Sequence, residues 1–174
     1  REALLATFAE HLGDAVLGSH IRPGLGLWIR VATDAWPTAA EVANGPAGCH
    51  FFDFLSAIDW LPSPYGRYED AEVDVPFPPP MPDRSLAVPG LAGGDSRLQV
   101  LASVARAGTD LRVFLKADLP DDDPRIGTWT HSYHGAAWHE REAWEMFGIT
   151  FEGNLDLRHS YLPTEFEGHP LRKE

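Results

Sequence analysis

The sequence has a single cysteine, Cys49, and no long apolar run. One thiol can form no disulfide within the chain, and it cannot by itself hold an iron–sulfur cluster, which needs several thiolate ligands. No stretch approaches the roughly 20 apolar residues that a transmembrane helix requires. We therefore expect any redox centre to belong to another protein, and no segment of this sequence to cross a bilayer.

Basic residues are also scarce. The chain has 14 Lys and Arg residues against 26 Asp and Glu residues, which gives a formal net charge of -12. This excess of negative charge repels a polyanion, so we expect no nucleic-acid partner. The 174 residues, of which 44% are hydrophobic, suffice for the core of one ordinary domain.

The pattern of apolar residues predicts helices and strands over the first half of the chain. Leu4, Leu5, Phe8 and Leu12 recur at helical spacing before Gly13, which predicts a helix over Glu2–Leu12. Two β-like runs, Val16–Arg22 and residues 27–31, flank a Pro-Gly turn and predict a hairpin. Thr38 with Glu41 matches a capping box before a short helix through Asn44. We interpret residues 51–61 as a helical turn followed by a strand.

Eight of the fifteen prolines lie between Pro62 and Pro89, among several acidic residues, so this stretch is expected to contain little helix or strand. Strands are predicted after it, over Leu98–Ala105 and residues 111–117. Together these elements indicate an α+β fold, with a small mixed sheet of about four to five strands, helices packed on one side, and an extended C-terminal arm. The predicted division is an α+β domain over residues 1–128, whose acidic Pro-rich loop spans 62–96, and a helix with an arm over residues 129–174.

The C-terminal part has a distinct composition, rich in aromatic, histidine and charged residues. A helix is predicted over Ala136–Phe147 and ends at Gly148. Glu140 falls within its apolar stripe, with Arg141 and Glu145 on the opposite side. A buried carboxylate is costly unless it is paired, so Glu140 needs an arginine, a lysine or backbone amides close by. Arg158 and Arg172 are the candidates within the chain, and another chain could also supply the partner.

Two catalytic interpretations of this region are weaker than a structural one. His131, His134, His139 and Glu142 could be drawn as a metal site, but Ala143 stands where a metalloprotease helix needs its second histidine. Glu140 and Glu142 are two apart on a helix and point about 200° away from each other, so they cannot share a substrate atom. Ion pairs that fasten the helix within the fold or to a partner explain these residues better. A metal-dependent hydrolase remains an alternative that requires bound zinc or manganese.

The residues after the helix have little patterned apolar content, and we interpret residues 153–174 as an arm that lies on a neighbouring protein. At these residues the chain closely resembles the thirty-kilodalton subunit of respiratory complex I. The matching motifs, hereafter the signature residues, are Glu140-Arg141-Glu142, Met146-Phe147-Gly148, Asp156-Leu157-Arg158 and Gly168-His169-Pro170-Leu171-Arg172-Lys173. Weaker matches are Asp53, Leu55, Asp59 and residues 111–116.

This resemblance implies a subunit without cofactor, metal or catalytic residues, in an assembly whose flavin mononucleotide and iron–sulfur clusters lie in partner subunits. The assembly passes electrons from NADH to quinone and translocates protons. The expected partners are the quinone-site subunit and adjacent cluster-bearing subunits, at the cytoplasmic side of the bacterial membrane. Equivalent subunits of a membrane-bound nickel–iron hydrogenase or a deazaflavin-linked dehydrogenase are the alternative. The family usually has Gly-His-Pro-Asp-Leu-Arg where this chain has Gly153-Asn154-Leu155-Asp156-Leu157-Arg158, which puts an essential role for that histidine in doubt.

Overall fold

A computed structural model describes residues 1–62, 83, 85 and 87–173. The described residues form a five-stranded sheet, a two-stranded sheet and three α-helices. In chain order these are α1 (Glu2–Leu12), β1 (Val16–Arg22), β2 (Gly26–Val31), α2 (Trp36–Asn44), β3 (Phe51–Asp59), β4 (Leu98–Ala105), β5 (Arg112–Leu119), β6 (Arg125–Gly127), α3 (Ala136–Phe147) and β7 (Thr150–Glu152). Short 3₁₀ turns over Gly13–Ala15 and Thr33–Ala35 precede β1 and α2.

The large sheet is mixed, with strand order β1-β2-β5-β4-β3. All of its neighbouring strands run antiparallel except β2 and β5, which are parallel and align Leu27 with Val113 and Ile29 with Leu115. This arrangement confirms the predicted α+β fold and its mixed sheet. The helices Glu2–Leu12 and Ala136–Phe147 have the predicted bounds, and the hairpin and the strand pair around Gly108 lie within two residues of theirs.

One face of the sheet carries the core. Side chains two apart on a strand share a face, so Leu27, Ile29 and Val31 align with Val113, Leu115 and Ala117. All six are buried in one cluster, to which the helices add Leu4, Phe8, Trp36, Ala40, Ala143 and Phe147. Fully burying an aliphatic or aromatic side chain of this size stabilises a fold by about 1.5–3 kcal/mol. This shared cluster fixes α3 against the sheet.

The other face of the sheet carries a polar network beside the stacked rings of Trp28 and Phe114. Arg30 binds Asp95 at 2.5 Å and Asp118 at 2.6 Å, while Gln99 accepts a hydrogen bond from Lys116 at 3.1 Å. Burial lowers the pKa of Lys116 to about 8, although the nearby Asp118 opposes this shift. The connecting segment, residues 87–97, contains no helix or strand and supplies Asp95 to this network. The rest of the prediction for the Pro-rich loop falls on residues 63–82, 84 and 86, which lie outside the described residues.

Two local predictions were wrong. Thr38 caps no helix, because α2 begins earlier, at Trp36, with Pro37 in its first turn and Ala35 at the N-cap. Residues 51–61 contain no helical turn, because β3 runs as one strand over Phe51–Asp59 and pairs with β4 along its length. A bulge between Phe52 and Phe54 interrupts the alternation of side chains, which explains why the sequence pattern was ambiguous.

No helix among the described residues is both long and apolar enough to cross a membrane. The predicted division at residues 128 and 129 stays a prediction. The core itself is continuous across it, since Trp129 stacks on Trp36 with ring centroids 4.5 Å apart and donates its indole N–H to the Trp36 carbonyl.

Candidate functional site

The signature residues meet around α3. The helix ends at Gly148, whose φ of 71° and ψ of 25° place it in the left-handed region that glycine adopts without strain. A Cβ atom at this position would also come within 2.6 Å of the His169 ring. Gly148 therefore serves two purposes: it ends the helix and leaves room for the C-terminal arm to return over it.

Glu140 lies on the inner face of α3 and is fully buried, with 0% of its surface exposed. Its carboxylate accepts hydrogen bonds from Thr128 Oγ1 at 2.6 Å, from the Trp129 backbone N–H at 2.6 Å and from Asn154 Nδ2 at 2.9 Å. Burial raises the pKa of Glu140, and this effect exceeds the opposing effect of the three hydrogen bonds. The inner face thus holds a carboxyl group in a site built from neutral donors of the same chain.

The prediction for the partner of Glu140 was half right. A backbone amide does bind it, as predicted, but neither candidate arginine does. Arg158 pairs with Asp156 at 3.0 Å, and Arg172 donates to the Asp121 carbonyl. Nor is another chain needed, because three donors already surround the carboxylate. Asn154, which stands at the position of the histidine in the family motif, supplies one of them.

Arg141 and Glu145 lie on the outer face of α3, opposite the apolar stripe, where water is the usual environment of a charged side chain. Both are buried instead, with 6% and 1% of their surfaces exposed, because residues 156–162 cover this face. Arg141 donates to the Asp156 backbone carbonyl at 3.1 Å, forms an ion pair with the Asp156 carboxylate, and lies over the Trp138 ring at 4.7 Å from its centroid. The arm, rather than water, is the environment of these two charges.

Glu145 fixes the arm through its backbone. The carboxylate accepts N–H groups from Ser160 at 3.0 Å, from Tyr161 at 3.1 and 3.2 Å, and from Leu162 at 2.7 Å, while His159 Nδ1 lies 3.1 Å away. Burial pushes the pKa of Glu145 upward, but these donors outweigh it, so that the pKa is lowered. The result is an anion held by three successive amides, an arrangement that favours the charged form.

The end of the arm returns to the same domain. Its contacts are with the last turn of α3, where His169 Nδ1 donates to the Glu145 carbonyl at 3.0 Å and the Leu171 N–H donates to the Met146 carbonyl at 3.0 Å. Lys173 donates its backbone N–H to the buried Asp59 carboxylate and its ammonium to the Asp59 and Leu61 carbonyls at 2.9 and 2.6 Å. The arm therefore binds its own helix and strand, although its sequence has no periodic apolar pattern, and the expectation that it lies on a neighbouring protein stays a prediction.

The signature residues differ in exposure. Glu140, Arg141 and Phe147 are buried, and those of intermediate burial are Glu142, Met146, Gly148, Leu157, Arg172 and Lys173. The exposed ones are Asp156, Arg158, Gly168, His169, Pro170 and Leu171. No sequence pattern indicated Thr128 and Trp129 as partners of Glu140, because both lie before α3 and outside its helical periodicity. The buried position of Glu140 required donors, but only the pairing of β6 with β7 brings these two residues to it.

The described residues contain no cluster of three or more His, Cys, Asp or Glu side chains arranged to hold a metal ion. Within the predicted histidine group, His139 Nδ1 lies 3.1 Å from the Leu55 carbonyl, and its ring contacts Phe52 edge to face. His131 and His134 are exposed. The structure does not bring these three histidines and Glu142 together.

Comparisons with known proteins identify related chains. The family model described as "Respiratory-chain NADH dehydrogenase, 30 Kd subunit" matches residues 29–174. NADH-quinone oxidoreductase subunit 5 of Thermus thermophilus is 36% identical over 159 residues, covering 87% of this chain and 62% of the relative. The NADH-quinone oxidoreductase C/D polypeptide of Klebsiella pneumoniae is 48% identical over 62 residues, covering 36% of this chain and 10% of the relative. The match thus spans about a tenth of the length of the C/D relative and less than two thirds of the Thermus one.

Solved structures share the fold. A trypsin-resistant fragment of Nqo5 matches with a TM-score of 0.56 at 21% identity, covering 90% of this chain and 97% of the fragment. A chain of the archaeal membrane-bound sulfane sulfur reductase matches with a TM-score of 0.59 at 16% identity, covering 92% of this chain and 75% of that one. At these identities the likeness concerns the fold alone.

Proposed function

The chain belongs to the 30 kDa subunit family of respiratory-chain NADH dehydrogenase, and we propose that it is a non-catalytic structural subunit of an NADH:quinone oxidoreductase. Such an assembly transfers electrons from NADH through flavin mononucleotide and iron–sulfur clusters to quinone and couples this transfer to proton translocation. The chain docks on the quinone-site subunit and supports its shape. The observation that carries the structural role is that the buried ionisable residues of α3 are all bound by groups of the chain itself; they are Glu140, Arg141 and Glu145.

The chemistry of these groups supports a structural role over a catalytic one. A general acid or base has to reach a substrate atom, directly or through one water. The Glu140 carboxyl is fully buried and already bound by three donors, and Glu145 is held by successive backbone amides. Their hydrogen bonds hold the loop before α3 and the arm in place.

The redox groups and the membrane attachment are proposed to lie in partner subunits. The only thiol of the chain, Cys49, is buried, and burial raises its pKa, which disfavours the thiolate that binds a cluster. The complex positions the chain peripherally at the cytoplasmic side of the bacterial membrane.

A second candidate is the equivalent subunit of a related complex with another electron donor or acceptor. The likeness in fold to a chain of the sulfane sulfur reductase favours keeping this candidate. The electron donor oxidised by the purified complex separates the two. NADH oxidation with quinone reduction supports the first, and oxidation of hydrogen or a deazaflavin supports the second.

The experiment is purification of the tagged chain from its own organism, with identification of copurifying proteins and measurement of NADH:quinone turnover. Flavin- and cluster-bearing subunits should copurify at fixed ratios. Glu140→Ala should lower the amount of assembled complex on a native gel without changing turnover per complex, while Glu10→Ala, an exposed position on α1, should change neither. Normal assembly with turnover abolished by Glu140→Ala would mean that this carboxyl takes part in the chemistry.

A further inference from the structure

A groove of about 210 Å³ lies between α3 and the arm, and the proposed function assigns it no task. Its lining residues are Trp138, His139 and Glu142 from the helix and Ser160 and Tyr161 from the arm. The groove exists because Glu145 holds the Ser160 and Tyr161 amides. Both of its walls are therefore fixed by contacts within the chain.

The groove presents a carboxylate. The Glu142 carboxylate has no ion pair or hydrogen bond with any residue that the structure describes, in contrast to Glu140 and Glu145 on the same helix. His139 Nδ1 donates to the Leu55 carbonyl at 3.1 Å, because a carbonyl can only accept, and this hydrogen bond fixes the ring in the wall of the groove. The Ser160 hydroxyl lies 3.5 Å from Arg141 Nη1, which can only donate, so one acceptor site of this hydroxyl faces Arg141.

The groove also presents aromatic surface. Trp138 and Tyr161 are each 68% exposed, an unusual exposure for rings of this size. Arg141 already lies over the Trp138 ring, and its charge is balanced by Asp156. A carboxylate beside aromatic rings matches a group with several donors, a positive charge and a flat face, which among protein side chains is the guanidinium of arginine. The net charge of -12 favours a basic partner over an acidic one.

We propose that this groove receives an arginine side chain from a segment of a partner subunit, with Glu142 as the anion that binds it. The inference rests on the proposed function, since the partner is taken to be a subunit of the same complex. It adds the position of the contact and the chemistry that recognises it. Glu142 lines the groove, whereas Glu140 and Glu145 point to partners within the chain. Glu142 is therefore the acid of α3 that is available to a second protein.

The experiment combines cross-linking with a charge exchange in the whole complex. A photoreactive benzoyl-phenylalanine in place of Tyr161 should cross-link to one partner peptide that contains an arginine. Glu142→Arg should then reduce the recovered complex about tenfold, the loss expected when a charge pair at an interface is broken. Replacing the partner's arginine by glutamate should restore most of the recovery with Glu142→Arg, although it should reduce recovery with the unaltered chain.

Glu10→Arg makes the same charge change on an exposed part of α1 and should leave recovery unchanged. Thermal unfolding of the isolated variants should show that Glu142→Arg leaves the chain folded. The groove assignment would be overturned if the redox subunits copurified but Tyr161 gave no cross-link, or gave a cross-link to a second copy of this chain. The proposed function would still stand in both cases. The absence of rescue by the exchanged pair would also overturn the groove assignment. Failure of the redox subunits to copurify would instead contradict the proposed function.

Discussion

The two faces of α3 both carry a buried acid, but the chain satisfies them in different ways. On the inner face, Glu140 is bound by one hydroxyl, one amide N–H and one side-chain amide in a site that burial makes unfavourable for charge. On the outer face, Glu145 is bound by three successive backbone N–H groups and His159, which favour charge. The inner acid holds the core together, and the outer acid holds a segment of irregular chain.

This difference shows how a segment without apolar periodicity can still have a fixed position. The arm uses backbone amides, Lys173 and His169 to bind α3 and β3, while leaving Leu155, Tyr161, Phe166 and Leu171 exposed. Hydrogen bonds to a buried charge contribute about 1.5–3 kcal/mol each, more than typical neutral ones. Polar contacts therefore fix the arm, and its apolar side chains stay available to a partner.

The largest expected effect is that of Glu140→Ala on stability. The substitution leaves the Trp129 N–H, the Thr128 hydroxyl and the Asn154 amide without their acceptor in the core. Each buried donor left unsatisfied costs about 1–3 kcal/mol, so we expect the free energy of unfolding to fall by about 3 kcal/mol or more. Urea denaturation of the isolated chain measures this. Glu142→Ala on the same helix should change it by less than about 0.5 kcal/mol, and an equal loss in both variants would contradict the distinction.

Glu145→Ala should release the arm rather than unfold the core. It removes the acceptor of the Ser160, Tyr161 and Leu162 amides, at an expected cost of about 2 kcal/mol, but leaves the inner face intact. Limited proteolysis should cut residues 159–173 faster in this variant than in the unaltered chain. Equal cutting rates would show that the arm is held by its other contacts. Glu142→Ala is again the matched control.

Gly148→Ala tests the point where the arm passes over the end of α3. A residue with a Cβ in the left-handed region costs about 1 kcal/mol, and here the new atom would also meet the His169 ring. We expect a loss of about 1–2 kcal/mol in the free energy of unfolding, with faster proteolysis of the arm. Gly108→Ala, which has a similar φ of 75° but no neighbour within 4 Å of a built Cβ, separates backbone strain from the clash. The two variants should differ in the proteolysis of the arm.

The smallest effects concern pH, and they should have opposite signs for the two acids. A raised pKa means that folded Glu140 binds its proton more tightly than the unfolded chain does, so its contribution to stability declines as pH rises above the ordinary value of 4.5. A lowered pKa means that Glu145 stabilises the fold above 4.5, and that this stability is lost as pH falls through the folded pKa. Relative to the unaltered chain, Glu140→Gln should therefore lose most stability at acid pH and Glu145→Gln at neutral pH. Urea midpoints of the two variants and the unaltered chain at about pH 4 and about pH 7 measure these losses. If both variants lost more stability at the same pH, the result would contradict the pKa directions.

Local patterns were sufficient for elements whose pairing is also local. The helix Glu2–Leu12, the β1–β2 hairpin and α3 follow from apolar spacing and terminal glycines, and the structure confirms them. The same method failed at β3 and at the start of α2. In β3 a bulge changes the alternation, and α2 begins where Trp36 stacks on Trp129, a residue that is distant in sequence. Neither cause is visible in a short window of sequence.

Residue patterns alone were enough to predict the family, the fold class, the helix that carries the signature residues, and the need of Glu140 for donors. Helical periodicity and a residue's cost of burial are local properties, which explains why these could be predicted. The three-dimensional arrangement was needed to show which donors reach Glu140, that Arg141 and Glu145 are buried, and that the arm returns to its own domain as far as Lys173. These depend on backbone amides and carbonyls, which every residue carries, so that no side-chain pattern can indicate which of them will meet.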